Sequence, residues 1–174
     1  IHDVALQNLD VTFAIDRAGL VGEDGPTHSG NYDLVYLRCI PNMIVMTPSD
    51  ENETRKLLTT GFLHNGPASI RYPRGSGPNV IVENDLSPVE IGKGRLIEEG
   101  SKDLIVINFG ALLDQAREVA STLGLTLIDM RFVKPLDEDI LRKYLSEAHA
   151  FVSIEDGSVA AVSYTHLRAH ETNS

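Results

Sequence analysis

The stretch Val11-Thr-Phe-Ala-Ile15, followed by Asp16-Arg-Ala-Gly-Leu-Val-Gly-Glu-Asp-Gly-Pro-Thr-His-Ser-Gly-Asn-Tyr-Asp33, decides the fold. The apolar run predicts a short buried strand, and it stops at a glycine-rich loop with charged side chains. Open α/β sheets bind ligands beyond the carboxyl ends of their strands. The stretch therefore predicts an α/β fold with an active-site loop, in which Arg17 is a candidate anion anchor, Asp24 a hydrogen-bonding carboxylate and His28 a proton carrier.

Composition excludes several classes of protein. The 174 residues carry a formal net charge of −10, which argues against binding to nucleic acid through clustered lysine and arginine. No stretch has the apolar length of a membrane helix, and no signal-peptide pattern opens the sequence. Cys39 is the single cysteine, so an intrachain disulfide is impossible, and we expect a reduced, cytosolic protein with this thiol in the core.

The first half predicts alternating strands and helices. A helix ends near residue 9, and strands are expected at 11–15, 43–46 and 68–72. A short helix is expected at 33–38. A longer helix follows Ser49, the predicted cap, and its inner face is predicted to consist of Leu57, Leu58, Gly61 and Phe62.

The second half resumes the alternation after a linker, predicted at 75–103, that includes an extended piece at 89–96. Strands are expected at 104–109, 125–130 and 150–154, and a helix at 137–147. A further helix, ended by Gly124, is predicted to face inward with Leu113, Ala116, Val119 and Ala120. This alternation predicts mostly parallel sheets.

Seven ordered blocks give the chain a family resemblance. They are His2-Asp-Val4, Phe13–Gly19, Gly22–His28, Tyr36–Pro41, Pro48–Glu53, Arg71–Gly75 and Asp129–Asp137. They occur in this order between residues 2 and 137, and the resemblance extends over residues 1 to about 158. The chain resembles the thiamine-diphosphate-dependent transketolase superfamily, and within it the transferases that join pyruvate to a triose phosphate. Ser29 stands where that family often has histidine or glutamine.

The resemblance implies a reaction and an architecture. Pyruvate condenses with D-glyceraldehyde 3-phosphate to 1-deoxy-D-xylulose 5-phosphate with release of CO2, the first step toward isoprenoid precursors, thiamine and pyridoxal by the non-mevalonate route. Residues 1–87 are expected to form a pyrimidine-side domain lacking its N-terminal part. Residues 88–160 are expected to form a truncated transketolase-type C-terminal domain. The resemblance also implies thiamine diphosphate with Mg²⁺, a homodimer and a bacterial cytoplasmic location.

The same resemblance assigns roles to residues. His28 and Asp24 are expected to be catalytic, and Arg17 and Arg74 to bind the substrate phosphate, whereas no residue of this chain is expected to bind the metal. The Gly-Asp-Gly metal motif belongs to an upstream diphosphate-binding domain, and this chain also lacks the glutamate that activates the cofactor, so the chain alone is expected to be inactive. The residues themselves also allow plainer roles: a turn for His28 and Asp24, and structural ion pairs for the arginines, most of all Arg71.

Other functions remain open at this point. Within the superfamily, the alternatives are a transketolase and the β-subunit of a 2-oxoacid dehydrogenase, although Tyr36–Pro41 and Arg71–Gly75 favour the synthase. From a different class, the chain could be a non-catalytic protein that binds a partner.

Residues 161–174 break the α/β pattern, and they resemble one translated frame of a transposase-type sequencing adapter. We expect them to be a non-native tail. Within it, His166 and His170 have the spacing of a helical metal pair, but no acidic residue lies between them, and we do not expect a metal site there.

Sequencing the source locus across both ends of this reading frame tests these expectations. We expect the frame to run upstream into a Gly-Asp-Gly motif and, past Ala160, into coding sequence without the adapter-like string. A start codon near Ile1 together with a stop codon after Ser174 would contradict them and would favour a short, non-catalytic protein.

Overall fold

Two four-stranded sheets carry five helices in residues 1–158, the part of the chain that the computed structural model describes. The first half contains α1 (His2–Leu6), β1 (Thr12–Ile15), α2 (Asp33–Cys39), β2 (Ile44–Met46), α3 (Glu51–Leu63) and β3 (Ala68–Arg71). The second half contains β4 (Arg95–Glu98), β5 (Ser101–Phe109), α4 (Leu113–Leu123), β6 (Leu125–Asp129), β7 (Phe132–Lys134), α5 (Glu138–Leu145) and β8 (Ala150–Glu155). The alternation predicted from sequence is confirmed, and the adapter-like tail with His166 and His170 lies outside the described residues.

The first sheet has the strand order β1-β3-β2-β7. Its first three strands are parallel, with Thr12 and Ile44 both opposite Ala68. The last strand, β7, comes from the second half of the chain and pairs antiparallel with β2. Its Lys134 Nζ donates to the carbonyls of Arg38 (3.1 Å) and Ile40 (2.6 Å), where it stabilises the end of α2. The sequence pattern did not predict β7.

The second sheet has the order β4-β6-β5-β8 and is parallel except for β4, which is antiparallel to β6. The predicted linker was too long, because it included β4 and the first residues of β5. The segment before β4 packs along α3: Asn52 Nδ2 donates to Ile81 O (2.9 Å), and Val89 N donates to Thr60 Oγ1 (2.8 Å). These bonds hold the connection against the first half.

Three details of helix packing differ from the predictions. Asp50, rather than Ser49, caps α3, and its carboxylate accepts from Glu53 N at 2.8 Å. Leu58 and Phe62 lie on the outer face of α3, and Phe62 is 81% exposed. Val119 is likewise exposed on α4, whereas Gly124 ends that helix as predicted. Apolar residues three and four positions apart can form two adjacent rows on a helix. Their spacing alone does not determine which row faces the sheet.

Cys39 is exposed, which corrects the expectation of a core thiol. It is the last residue of α2, and its Sγ donates to Tyr36 O at 3.0 Å. The buried apolar positions of this helix are instead Leu34 and Leu37.

The two halves share one hydrophobic core. Leu37 and Val45 of the first half belong to the same buried cluster as Ile107, Ile128 and Tyr144 of the second. All five are almost inaccessible to solvent. Neither half therefore buries its apolar face without the other.

A buried ionic network reinforces the contact between the halves. Glu53 on α3 accepts from Arg131 Nε (2.7 Å) and Arg95 Nη1 (3.0 Å). Asp129, at the end of β6, accepts from Ser49 Oγ (3.0 Å) and Arg95 Nε (3.1 Å). Burial raises the pKa of the Asp129 carboxyl above its ordinary value, although Arg95 and the hydrogen bond from Ser49 oppose that shift.

None of the helices within residues 1–158 has both the length and the apolar character that a membrane crossing needs.

We expect Glu53→Gln to lower the free energy of unfolding by about 3 kcal/mol, because two arginines would lose a buried anionic partner. The matched control is Glu138→Gln, which removes an exposed pair with Arg142 one helical turn away and should cost less than about 0.5 kcal/mol. Urea denaturation of both variants checks this, and equal losses would contradict it.

Candidate active site

The loop predicted to carry the site leaves β1 at the carboxyl edge of the first sheet, and its base is closed. Ala18 N donates to Tyr72 O at 3.1 Å, just beyond β3. Gly19 and Gly30 exchange two backbone hydrogen bonds of 3.2 and 2.9 Å. A Cβ at Gly30 would lie 2.2 Å from Arg17 O, so only glycine permits this approach. Residues 19–30 therefore form a lobe fastened at its base.

Asp24 lies between the two arginines predicted to bind phosphate. Its Oδ2 accepts from Arg17 Nε at 2.7 Å, and its Oδ1 accepts from Arg74 Nη1. The hydrogen bonds from Arg17 and Arg74 lower the pKa of the Asp24 carboxyl below its ordinary value. The hydrogen bond to Asp24, with the charge of Asp16, raises the pKa of Arg17. Arg17 has a φ of +62°, which is a strained backbone conformation for a residue other than glycine. Three of the four predicted site residues are thus brought together.

His28 lies apart from this cluster. It ends a single turn of 3₁₀ helix, Pro26–His28, and its side chain is exposed. Its Nδ1 lies 3.0 Å from Thr27 Oγ1, and its backbone N donates to Gly25 O at 3.3 Å. The structure places His28 on the same lobe as Asp24, but it records no contact between them within residues 1–158.

A cleft of about 490 Å³ opens beside Arg74, between the two halves of the chain. Gly19 and Arg74 line it from the first half, and Gln115 and Asp156 line it from the second. A smaller cleft of about 290 Å³ meets the first at Arg74 and is lined by residues 20–23 of the loop. Arg74 therefore stands between the lobe and the larger cleft, where a small anionic ligand can reach it.

Arg71 is a structural residue, as the sequence favoured. Its side chain is only 2% exposed, and Nε donates to Asp33 Oδ2 at 2.7 Å. Nη1 donates to Asp156 Oδ1, and Nη2 donates to Gly30 O at 2.8 Å. Sequence reasoning missed Asp156, although a polar residue directly after a parallel strand is a usable signal.

Within residues 1–158, no group of three or more histidine, cysteine, aspartate or glutamate side chains is arranged to hold a metal ion.

Comparison with known proteins identifies both halves. The pyrimidine binding domain of transketolase matches residues 1–79, and the transketolase C-terminal domain matches residues 92–169. The 1-deoxy-D-xylulose-5-phosphate synthase of Pseudomonas fluorescens Pf0-1 is 59% identical over 91% of this chain. That of Pseudomonas syringae pv. tomato DC3000 is 58% identical over 98%. These alignments cover 25% and 28% of the relatives, so the chain spans about a quarter of their length.

Solved structures agree on the fold. A split-gene transketolase, described as an inactive β4 tetramer, superposes with a TM-score of 0.83 at 27% identity, covering 97% of this chain and 56% of that one. The transketolase from Leishmania mexicana superposes with a TM-score of 0.69 at 22% identity, covering 89% of this chain and 24% of that one.

The Asp24 cluster predicts a measurable titration. With a depressed folded pKa, the stabilisation that Asp24 contributes is present above its unfolded pKa of 3.8 and is lost as the pH falls through the lower folded value. We expect carboxyl carbon NMR to place its midpoint below 3.8, and the double variant Arg17→Gln, Arg74→Gln to raise it. The control Arg142→Gln, remote on α5, should leave the midpoint where it is. An unchanged midpoint in the double variant would contradict the arrangement.

Proposed function

Because this chain belongs to the transketolase family, we propose that it is part of a 1-deoxy-D-xylulose-5-phosphate synthase. The synthase condenses pyruvate with D-glyceraldehyde 3-phosphate and releases CO2, at the entry to isoprenoid precursor synthesis. The observation that carries the proposal is the pair of arginines on one carboxylate, of which Arg74 also lines the cleft. That arrangement fits a ligand with a small dianion at one end.

Arg17 and Arg74 bind the acceptor phosphate in this proposal. A guanidinium group presents two parallel donors that match a phosphate, and both groups now point at Asp24. A phosphate has more charge and more acceptor oxygens than the carboxylate, so it can replace Asp24 on either arginine. Asp24 then becomes free to accept hydrogen bonds from the hydroxyl groups of the acceptor.

His28 moves a proton during the condensation. Imidazole is the side chain that most often accepts and donates protons in enzyme mechanisms, which suits this role. It lies on the lobe whose base is closed by Gly19 and Gly30, so its backbone is held while its ring faces outward. Thr27 Oγ1, 3.0 Å from Nδ1, restricts the orientation of the ring.

The cofactor is thiamine diphosphate with Mg²⁺, which supplies an electron sink for the decarboxylated donor. From the resemblance, we propose that the diphosphate and metal ligands lie in a preceding domain and that this chain supplies the acceptor side of the site, where Arg17 and Arg74 are placed.

The resemblance to the family also supplies the proposed domain boundaries. We propose a pyrimidine-side domain at 1–87, a C-terminal domain at 88–160 and a non-native tail at 161–174, although the family match reaches residue 169. The chain alone is inactive, and the complete enzyme is a homodimer in the bacterial cytoplasm. The inactive split-gene transketolase, which has a similar fold, supports the first of these statements.

Kinetics of the complete enzyme that contains this chain test the proposal. We expect Arg74→Lys to raise KM for D-glyceraldehyde 3-phosphate about 10- to 100-fold through the loss of charge-assisted hydrogen bonds. The same variant should leave KM for D-glyceraldehyde, which lacks the phosphate, unchanged. His28→Asn should lower kcat by about 10²- to 10⁴-fold.

Arg142→Lys, on the exposed face of α5, is the control for Arg74→Lys. An equal effect of Arg74→Lys on both acceptors would contradict the phosphate role. Ketol transfer between sugar phosphates without release of CO2 would instead favour a transketolase.

A further inference from the structure

The segment that follows β8 contacts the base of the lobe. Ser158 N donates to Asn31 O at 3.1 Å, and Asn31 directly follows Gly30, which closes the lobe. Gly19 and Gly30 begin the two arms of the lobe. On the Gly19 arm, a Cβ built at Gly19 would lie 3.1 Å from both Cβ and Oδ2 of Asp156. The second half of the chain therefore touches both arms of the lobe at its base, and the glycine makes room for this contact.

Arg71 joins these parts in one buried centre. From β3 its guanidinium donates in three directions: to Asp33 at the start of α2, to Gly30 O on the lobe, and to Asp156 beyond β8. A second bond, from Nη2 to Asp156 O at 3.0 Å, makes the contact with Asp156 two-pronged. A lysine ammonium has the charge but lacks the planar fork that reaches all three.

Each half of the chain contributes one of the two carboxylates that pair with Arg71. Burial alone would lower the pKa of Arg71, but Asp156 and Asp33 outweigh it and keep the pKa above the ordinary value. Asp33 belongs to the first half, as Arg71 does. Asp156 is the partner that depends on how the two halves are packed.

We propose that Arg71 is a positioning residue through which the second half of the chain, acting by Asp156, sets the placement of the lobe that carries Asp24 and His28. Arg71 acts through Gly30 O and the Gly19–Gly30 pair and does not touch a substrate. The link between the halves stands on the geometry alone, whereas its effect on catalysis rests on the proposed function. The C-terminal domain thereby takes part in the site without supplying a reacting group.

Amide hydrogen exchange of the chain, resolved by NMR, tests the link. In the Asp156→Asn variant, the Arg71 guanidinium keeps its hydrogen bonds to Asp33 and Gly30 O but loses its anionic partner on the second half. We expect the amides of Ala18, Gly19 and Gly30 to exchange about tenfold faster or more. Those of β6, which is separated from β8 by β5, should keep their rates. Glu147→Gln, which breaks an exposed pair with Lys102, is the matched control and should change neither group.

Arg71→Lys should accelerate the same lobe amides at least as much, because it weakens the bond to Gly30 O as well. If that variant does not fold, Asp156→Asn decides alone. Wild-type rates in the lobe of Asp156→Asn would overturn the proposal, and so would an equal acceleration across β6, which would show a general loss of stability.

Activity provides the second readout. In the complete enzyme, Asp156→Asn should lower kcat about 10- to 100-fold through misplacement of the lobe, with the folded fraction unchanged. Because the exchange rates need neither substrate nor cofactor, an enzyme that lacks synthase activity but shows the lobe effect would overturn the proposed function and leave this inference standing. Wild-type kcat alongside a loosened lobe would restrict the inference to structure and overturn its catalytic part.

Discussion

The antiparallel pairing of β7 with β2 is the constraint on which the rest of the structure depends. It carries Phe132 into the first sheet, although the strands before and after it belong to the second sheet. Once this strand is in place, Arg131 is held against Glu53, and Lys134 against the end of α2. The two sheets then have a fixed separation, and the apolar residues between them merge into one core.

The charged groups follow from that arrangement. Two groups of arginine contacts cross between the halves: Arg95 and Arg131 with Glu53, and Arg71 with Asp156 beneath the loop. The first is buried and adds specificity to an interface that apolar packing already stabilises. The second lies directly under the candidate site. A third arginine pair, on Asp24, is the most exposed and the most easily exchanged for a ligand.

Much of the fold could be predicted because it depends on short-range patterns. The run at 104–109 is apolar at almost every position, so a strand covered on both faces was evident without any partner. The misassignments had a common cause. The local pattern fits either Ser49 or its neighbour as the cap of α3, and either a buried or an exposed position for Leu58 and Cys39. Only the packing of each helix against the sheet selects between these alternatives. β7 is three residues long, too short for periodicity to show.

The sequence by itself determined the α/β class, the order of nearly all elements and the identity of the loop with Arg17, Asp24 and His28, because glycines, charges and apolar periodicity act over a few neighbouring residues. Only the tertiary structure decided that Arg17 and Arg74 share Asp24, and that Arg71 joins Asp33 to Asp156. The members of these sets lie as many as 85 positions apart. Their meeting depends on the strand order of the sheets, which the local composition of the chain does not encode.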